Sequence, residues 1–548
     1  MILPLLLSAV GTPVLAYDFE TVSTSRGFNY SGNPGDNNQI TIPSFIDNTG
    51  VFTADVTNNS YPDILALGND KPELFLNRGG HFDRSKKFPD VDRKLSSALF
   101  VDYNADRFKD LVLVPRNGKL LLFHNDNGHF RNPKKIPSPS LTAGSGATAG
   151  DFNADGCPDL FVYQSIKDYQ SRPSRHLEYR LGQASGGTEL SEAGRRNFFL
   201  TGTCSGFRWK ESSRDTVAHS SLAASAADLT GNNRLDVHVA NDFHRDSLYV
   251  NQGNGNFRHR YLSEDTNRNG MASLLWDVDR NALPDIFVSN IFLSDTNPAF
   301  NWSTFKTIMT HRPFGHNLLI NEGGGKFSSE EKAYGVRGGG WGWAASSADF
   351  NNSGWMELLQ ARQNFITRRA TMPVFNLEDS EFVSYLTELF DGSTPGHEVQ
   401  KNKFYPFIRD WLGYPGFWSR TSPGPFRARP DVEQSFGRWD ARGLVTLDYN
   451  MNGLEDLVIT DWDGRYGLME NQLAEKSRHD NWIKVFVRSP KLYQGGFLRL
   501  QTGKRVQLRP LSAQSGYHSQ EAAIYHFGLG ESVDESSLRV EWNDGSVQ

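Results

Sequence analysis

Seven short segments of this chain carry side-chain oxygens at spacings suited to a hard cation. In Asp102-Tyr-Asn104-Ala-Asp106-Arg-Phe-Lys-Asp110, carboxylate or amide oxygens fall at positions 1, 3, 5 and 9, and position 7 can add a backbone carbonyl. A flexible cage of about six to eight oxygens suits Ca²⁺, whereas Mg²⁺ wants a tighter octahedron and keeps more waters. Zn²⁺ is disfavoured because no His/Cys set accompanies the loop. The chemistry expected is structural. An ion would relieve repulsion among the clustered carboxylates and tie the hairpin.

The copies are unequal. Asp102/Asn104/Asp106/Asp110, Asp151/Asn153/Asp155/Asp159, Asp277/Asp279/Asn281/Asp285 and Asp448/Asn450/Asn452/Asp456 are the strongest sets. Asp55/Thr57/Asn59/Asp63 and Asp228/Thr230/Asn232/Asp236 carry Thr at position 3, and Asp349/Asn351/Ser353/Glu357 ends on the longer Glu. Those three are expected to bind weakly or to stand as metal-free turns. One copy would mean little, since an Asp/Asn-rich turn commonly hydrogen-bonds to itself. Repetition is what points to calcium.

The elements that hold these loops repeat with them. Each unit reads as an apolar strand, the acidic loop, a second apolar strand, then a turn and a third strand closing on Gly-x-Phe, as in ALFVDYNADRFKDLVLV and LLFHNDNGHF. A fourth strand is expected from the variable run before the next loop. First-Asp spacings are 47, 49, 77, 49, 72 and 99 residues. A period just under fifty with short strands fits propeller blades, whose radial repetition leaves only short edges. The fold expected is all-β: a seven-bladed β-propeller over residues 51–475 and a small C-terminal β domain over 478–548. Six or eight blades, or an open β array, are the alternatives.

Insertions at 164–198, 290–316 and 365–436 account for the longer intervals. The last holds an expected helix across Leu377–Phe390. It also holds an aromatic cluster (Phe404, Tyr405, Phe407, Trp411, Tyr414, Phe417, Trp418), read as a satellite core or an exposed ligand platform.

A net charge of -6 from 57 basic and 63 acidic residues, without a basic block, gives nucleic-acid binding little support. Residues 1–16, MILPLLLSAVGTPVLA, read as a secretory signal peptide, although no Lys or Arg precedes the apolar run. The bland alternative is a buried strand. Residues 17–50 look like an extended lead-in. No later run approaches the roughly 18 apolar residues of a membrane span. In an oxidising compartment Cys157 and Cys204 would pair; two buried thiols are the ordinary alternative. Sequons at Asn29, Asn58, Asn301 and Asn351 are glycosylation candidates, and the second and fourth overlap cation loops.

The loops together with the Phe/Leu-x-x-Asn-x-Gly turns resemble the FG-GAP/VCBS repeats of integrin-α-type propellers. Gly516-Tyr517-His518-Ser519-Gln520, His526-Phe527-Gly528-Leu529-Gly530 and LRVEWNDG are similar to the ASPIC/UnbV domain. The pair resembles the cartilage acidic protein 1-like family, from about residue 45 to the end. That resemblance implies an extracellular calcium-bound propeller, with adhesion or matrix association in animal members, and carries over no catalytic residues. The degraded loops, the long third insertion and the absence of an EGF-like module or RGD sequence weaken any specific adhesion role.

Catalysis has one local candidate, Asp242, His244, Arg245 and Asp246, with His219 and His238 on the same blade. Nucleophile-elbow, zincin and phosphate-loop motifs are absent. Tyr517, His518 and His526 read as packing and turn-fixing residues. The function expected is a secreted, calcium-stabilised binding or adhesion-type protein with an extracellular protein or glycan partner. The alternative is a biosynthetic cyclase or isomerase holding a small apolar substrate at the propeller mouth.

Overall fold

The apolar runs before the acidic loops form strands buried along their whole length, as in Leu95–Val101 and Ala441–Leu447. Burial on both faces is why they read as continuous rather than alternating runs. The computed structural model describes residues 19–21, 25–26, 49–68, 71–86, 88–91, 94–165, 194–242, 244–262, 269–290, 315–362, 414–420, 422–461, 464–473, 481–511, 516–531 and 535–548.

All seven hairpins share one register. The position-9 acid pairs with the residue just before position 1, giving Ala54↔Asp63, Val101↔Asp110, Gly150↔Asp159, Ala227↔Asp236, Trp276↔Asp285, Ala348↔Glu357 and Leu447↔Asp456. Such identity follows from loops of equal length between strands whose buried faces forbid a one-residue slip. Among the described residues, each hairpin opens an antiparallel sheet, and the third and fourth sheets are joined through Arg214–Ala227.

The sheets follow one another radially. Val51–Ala54, Leu95–Val101, Gly144–Gly150, Arg214–Ala227, Leu274–Trp276, Gly342–Ala348 and Ala441–Leu447 each lie beside the next, and the last returns to the first. Apolar layers fill the gaps between sheets. Val51, Ile64 and Phe75 pack on Val445, Val458 and Leu468 where the ring closes. Phe19–Thr21 adds the outer strand of the last sheet, pairing with Asn471, Glu470 and Met469. The lead-in thus contributes a strand to the ring, a role that its Ser/Asn-rich composition concealed. The protein is an all-β propeller.

Several expected boundaries move. The fourth strand begins at the Gly-x-Phe turn itself, as in His129–Lys135 and Asn256–Tyr261, and not in the variable run. Arg195–Gly202 and Gly416–Ser419 are sheet strands, so the first and third insertions end earlier than expected. Phe417 and Trp418 are buried in the core, which removes them from any exposed platform. The signal segment, the expected helix across Leu377–Phe390, Phe404, Tyr405, Phe407, Trp411 and the Asn29 and Asn301 sequons lie outside the described residues. Among the described residues no helix is long and apolar enough to cross a membrane.

The C-terminal segment forms a three-stranded sheet of Gly496–Thr502, Arg505–Pro510 and Ser536–Trp542, and a two-stranded one of Asn481–Phe486 and Ile524–Gly530. Between them, residues 516–522 enter the middle of the ring. Gly516 N–H donates to Ser273, the Tyr517 ring sits 5.1 Å from Trp343, and His518 C=O accepts from Val51. Ser519 accepts from Leu444 N–H, and Ser519–Gln520 lies parallel to Val51–Phe52. Glu521 accepts from Thr446 and Ser346. The family-like motif is a plug along the axis.

Candidate metal centre

Each loop is built by its two terminal acids. The position-1 Asp accepts the backbone N–H groups of positions 5 and 6, as in Asp102 with Asp106 (3.1 Å) and Arg107 (3.0 Å) and Asp151 with Asp155 (3.0 Å) and Gly156 (2.9 Å). Asp277 differs, accepting from position 6 (Ala282) while Asn281 N–H turns to Asp279. The position-9 acid holds the neighbouring strand. Asp63, Asp110, Asp236, Asp285 and Asp456 each accept, at 2.7–2.8 Å, the N–H of an Asn ending the third strand. That Asn then donates its side-chain amide to a carbonyl in the preceding hairpin's loop. The pairs are Asn77 to Tyr449, Asn125 to Val56, Asn251 to Phe152, Asn321 to Leu229 and Asn471 to Phe350. The Asn of the Phe/Leu-x-x-Asn-x-Gly turn is therefore an inter-blade clamp. The sequence showed its recurrence without showing its job.

Two of the strongest sets converge. Asp102, Asp106 and Asp110 place one carboxylate oxygen each within 4.8 Å of the others, and Asp277, Asp279 and Asp285 do the same. Among the described residues no other acidic loop gathers three such groups. Each converged loop contains a buried carboxylate oxygen without a hydrogen-bond partner, Oδ2 of Asp110 and Oδ1 of Asp277. Burial pushes Asp110 up to about 7, Asp277 to about 6 and Asp285 to about 8, with the other acids of each loop adding to the rise. Hard oxygen donors, clustered charge and an unspent buried oxygen all fit a hard divalent cation. Residues Asp102, Asn104, Asp106 and Asp110, or Asp277, Asp279, Asn281 and Asp285, would hold it. His124 adds an unforeseen neighbour, Nδ1 lying 3.1 Å from Asp110 Oδ1.

The remaining loops do not bring three acids together. Their side chains hydrogen-bond within the fold, as Asn104 (to Asp106) and Asn281 (to Asp279 and the Asn321 carbonyl) also do in the converged pair. In the Asp151 loop, Asn153 donates to Asp155 at 3.0 Å, and Asp159 accepts from Phe152 and Gly202. Cys157 forms a disulfide with Cys204 beside it. Asn59 and Asn232 donate to the carbonyls of the clamp residues Asn77 and Asn251, and Thr230 donates to Asp236. Asp55 pairs with Arg488, and Asp448 with Lys484. Asn450 donates to Glu470, while Asn452 accepts from Leu454. Asp349 accepts from Ser353 and Gly354, and Asn351 is fully buried, a poor setting for a glycan.

The candidate catalytic group is partly assembled. His219 and His244 rings lie 5.5 Å apart, and His259, unforeseen, lies 5.4 Å from His219. His238 belongs elsewhere, bonded to Ser273 in the interior. Asp246 is buried and accepts from Asn241 N–H, so it is a turn residue.

Ring, loops and plug define the class: a β-propeller carrying FG-GAP-like repeats at residues 102–162 and 228–288 and an ASPIC and UnbV domain at 488–548. The chain is similar to cartilage acidic protein 1 of Xenopus tropicalis, 27% identical over 134 residues, covering 24% of this chain and 19% of that protein. It is similar also to the Homo sapiens protein, 26% identical over 166 residues, covering 29% of this chain and 23% of that protein. Under a quarter of either relative's length is matched. Among solved structures, BBS1N from its crystal structure with ARL6DN aligns over 79% of this chain and 94% of its own. That alignment has a TM-score of 0.42 and 9% identity, a likeness too remote to bear on function.

Proposed function

We propose that this protein is a secreted, calcium-stapled, seven-bladed propeller acting as an extracellular binding or adhesion-type protein. Calcium enters as a staple: Asp102 and Asp277 with their loop partners would hold it, and it supplies charge neutralisation. The observation carrying the binding role is where the long connections leave the ring. The chain departs after Ser165, Asn290 and Arg362 and returns at Gly194, Gly315 and Tyr414, in each case between a second and a third strand. Second strands run away from the acidic loops, so all three connections arise on the face opposite them. The acidic-loop face is covered by the C-terminal domain through Lys484, Arg488, Tyr493 and Arg505. The C-terminal domain lies against one face, and the three long connections leave and re-enter the rigid ring at the other, an arrangement suited to partner recognition. A protein or glycan is the partner class proposed.

Binding of the purified chain to glycan and matrix-protein arrays, with and without a calcium chelator, tests this. Capture of a defined partner that is lost when residues 363–413 are replaced by a short linker is the expected result. An absence of any partner, together with accumulation of a single metabolite precursor on gene deletion, would overturn it.

A further inference from the structure

By its side chains alone the Asp448 loop ranks with those at Asp102 and Asp277. Its surroundings differ. Lys484, on the C-terminal strand Asn481–Phe486, places Nζ 2.8 Å from Asp448 Oδ2 and 3.2 Å from Glu455 Oε1. The Lys484 side chain is 5% exposed, that of Asp448 0% and that of Glu455 10%, so this charge cluster lies inside the protein. Asp448 Oδ2 also accepts the N–H of Gly453 at 2.8 Å, which places the ammonium at the carboxylate that organises the loop. Trp482 flanks it, with Nζ 6.0 Å from the ring centroid.

An ammonium has three donors and a fixed positive charge. A divalent ion in the same loop would stand a few ångströms from that charge, where screening by water is weak and like charges repel strongly. Removing the lysine would instead leave two buried carboxylates uncompensated. Among the described residues no lysine or arginine is in ion-pair contact with Asp102 or Asp277; Lys109 and Arg509 act on them only at longer range. Arg488 repeats the Lys484 arrangement at the first loop, Nη2 lying 2.9 Å from Asp55 Oδ2 and 2.8 Å from Ser60 Oγ, although its side chain is 45% exposed.

We propose that Lys484 is the resident cation of the Asp448 loop. The C-terminal domain neutralises this loop in place of calcium and is latched to the ring by doing so. The inference rests on the reading that the converged loops take calcium. It assigns different roles to loops that look equivalent in sequence: Asp102 and Asp277 take an ion, and Asp448 takes a side chain.

Calcium counted per chain in the full-length protein, by mass spectrometry and by calorimetric titration with CaCl₂, provides the test. Asp448→Asn is expected to leave the count unchanged, whereas Asp277→Asn lowers it by one. Lys484→Met is expected to raise the count by one and to enlarge the rise in Tm on adding calcium. A count that falls by one in Asp448→Asn overturns the proposal, as does a folded Lys484→Met with no added site. If Lys484→Met does not fold, the Asp448→Asn count decides. A wild-type chain that binds no calcium sinks the reading of the converged loops, and Lys484→Met then still decides the latch by gaining or not gaining a site.

Discussion

Gln520 pairs its side-chain amide with both backbone groups of Phe100, accepting from the N–H at 2.7 Å and donating to the C=O at 3.0 Å across 420 residues. Its own backbone lies beside Phe52, so one residue ties two neighbouring inner strands at the axis. Truncation leaves two buried backbone groups unsatisfied, at about 1–3 kcal/mol each. Gln520→Ala should lower stability by about 2–6 kcal/mol in a denaturant titration. An unchanged midpoint would remove the plug from the list of stabilising contacts.

Calcium removal should loosen the ring unevenly. An ion held at 100 times its Kd adds about 2.7 kcal/mol per site to the folded state. Chelation is therefore expected to lower Tm and expose sites around Asp102 and Asp277 to proteolysis. Asp277→Ala should be more damaging than Ser353→Ala, since Asp277 belongs to a converged set. Equal Tm losses for the two variants would contradict that ranking.

Acid should act through buried imidazoles. Burial, with Arg116 adding, pushes His518 down to about 3, and burial does the same to His238. A histidine depressed in the folded state binds its proton in the unfolded chain first. Its contribution is complete above pH 6.5 and is lost as pH falls toward 3, at about 1.4 kcal/mol per pH unit for each group. His518 stacks on Tyr517 at 4.0 Å, and neither ring nitrogen has a hydrogen-bond partner. His518→Phe keeps the stack and should flatten the slope of stability against pH between 6.5 and 4.5 by one proton. An identical slope would place the acid sensitivity elsewhere.

The Cys157–Cys204 bridge closes a separation of 47 residues between the third hairpin's loop and the turn after Arg195–Gly202. Chain-entropy arguments assign such a closure about 4 kcal/mol. Reductant, or the double Cys157→Ser/Cys204→Ser change, should lower the unfolding midpoint correspondingly. No response to reductant would mean the thiols are unpaired in solution.

Much of the ring was legible because its signal is periodic. Equal loops and apolar runs recur, and closure is the simplest way to bury both faces of each sheet. The loop residues were legible too, but their partners were not. Lys484, Arg488 and His124 meet the acids only through tertiary contact, and nothing local distinguishes Asp448 from Asp277. The clamp residues, such as Asn125 and Asn321, recurred visibly yet read as turn formers, because an Asn that reaches across to the preceding hairpin has no local signature. Phe417 and Trp418 looked like part of an insertion since the strand they form follows a long interruption. Phe19–Thr21 gave no hint, being a few residues whose pairing partner lies some 450 positions away.

That last pairing has a consequence for how the molecule is made. Phe19–Thr21 leaves the ribosome well before the edge it must zip onto, Tyr466–Asn471, some 450 residues later in the chain. Until Tyr466–Asn471 is made, the nascent chain is an open arc with two raw rims, and the wheel can be sealed only after that strand follows the seventh hairpin.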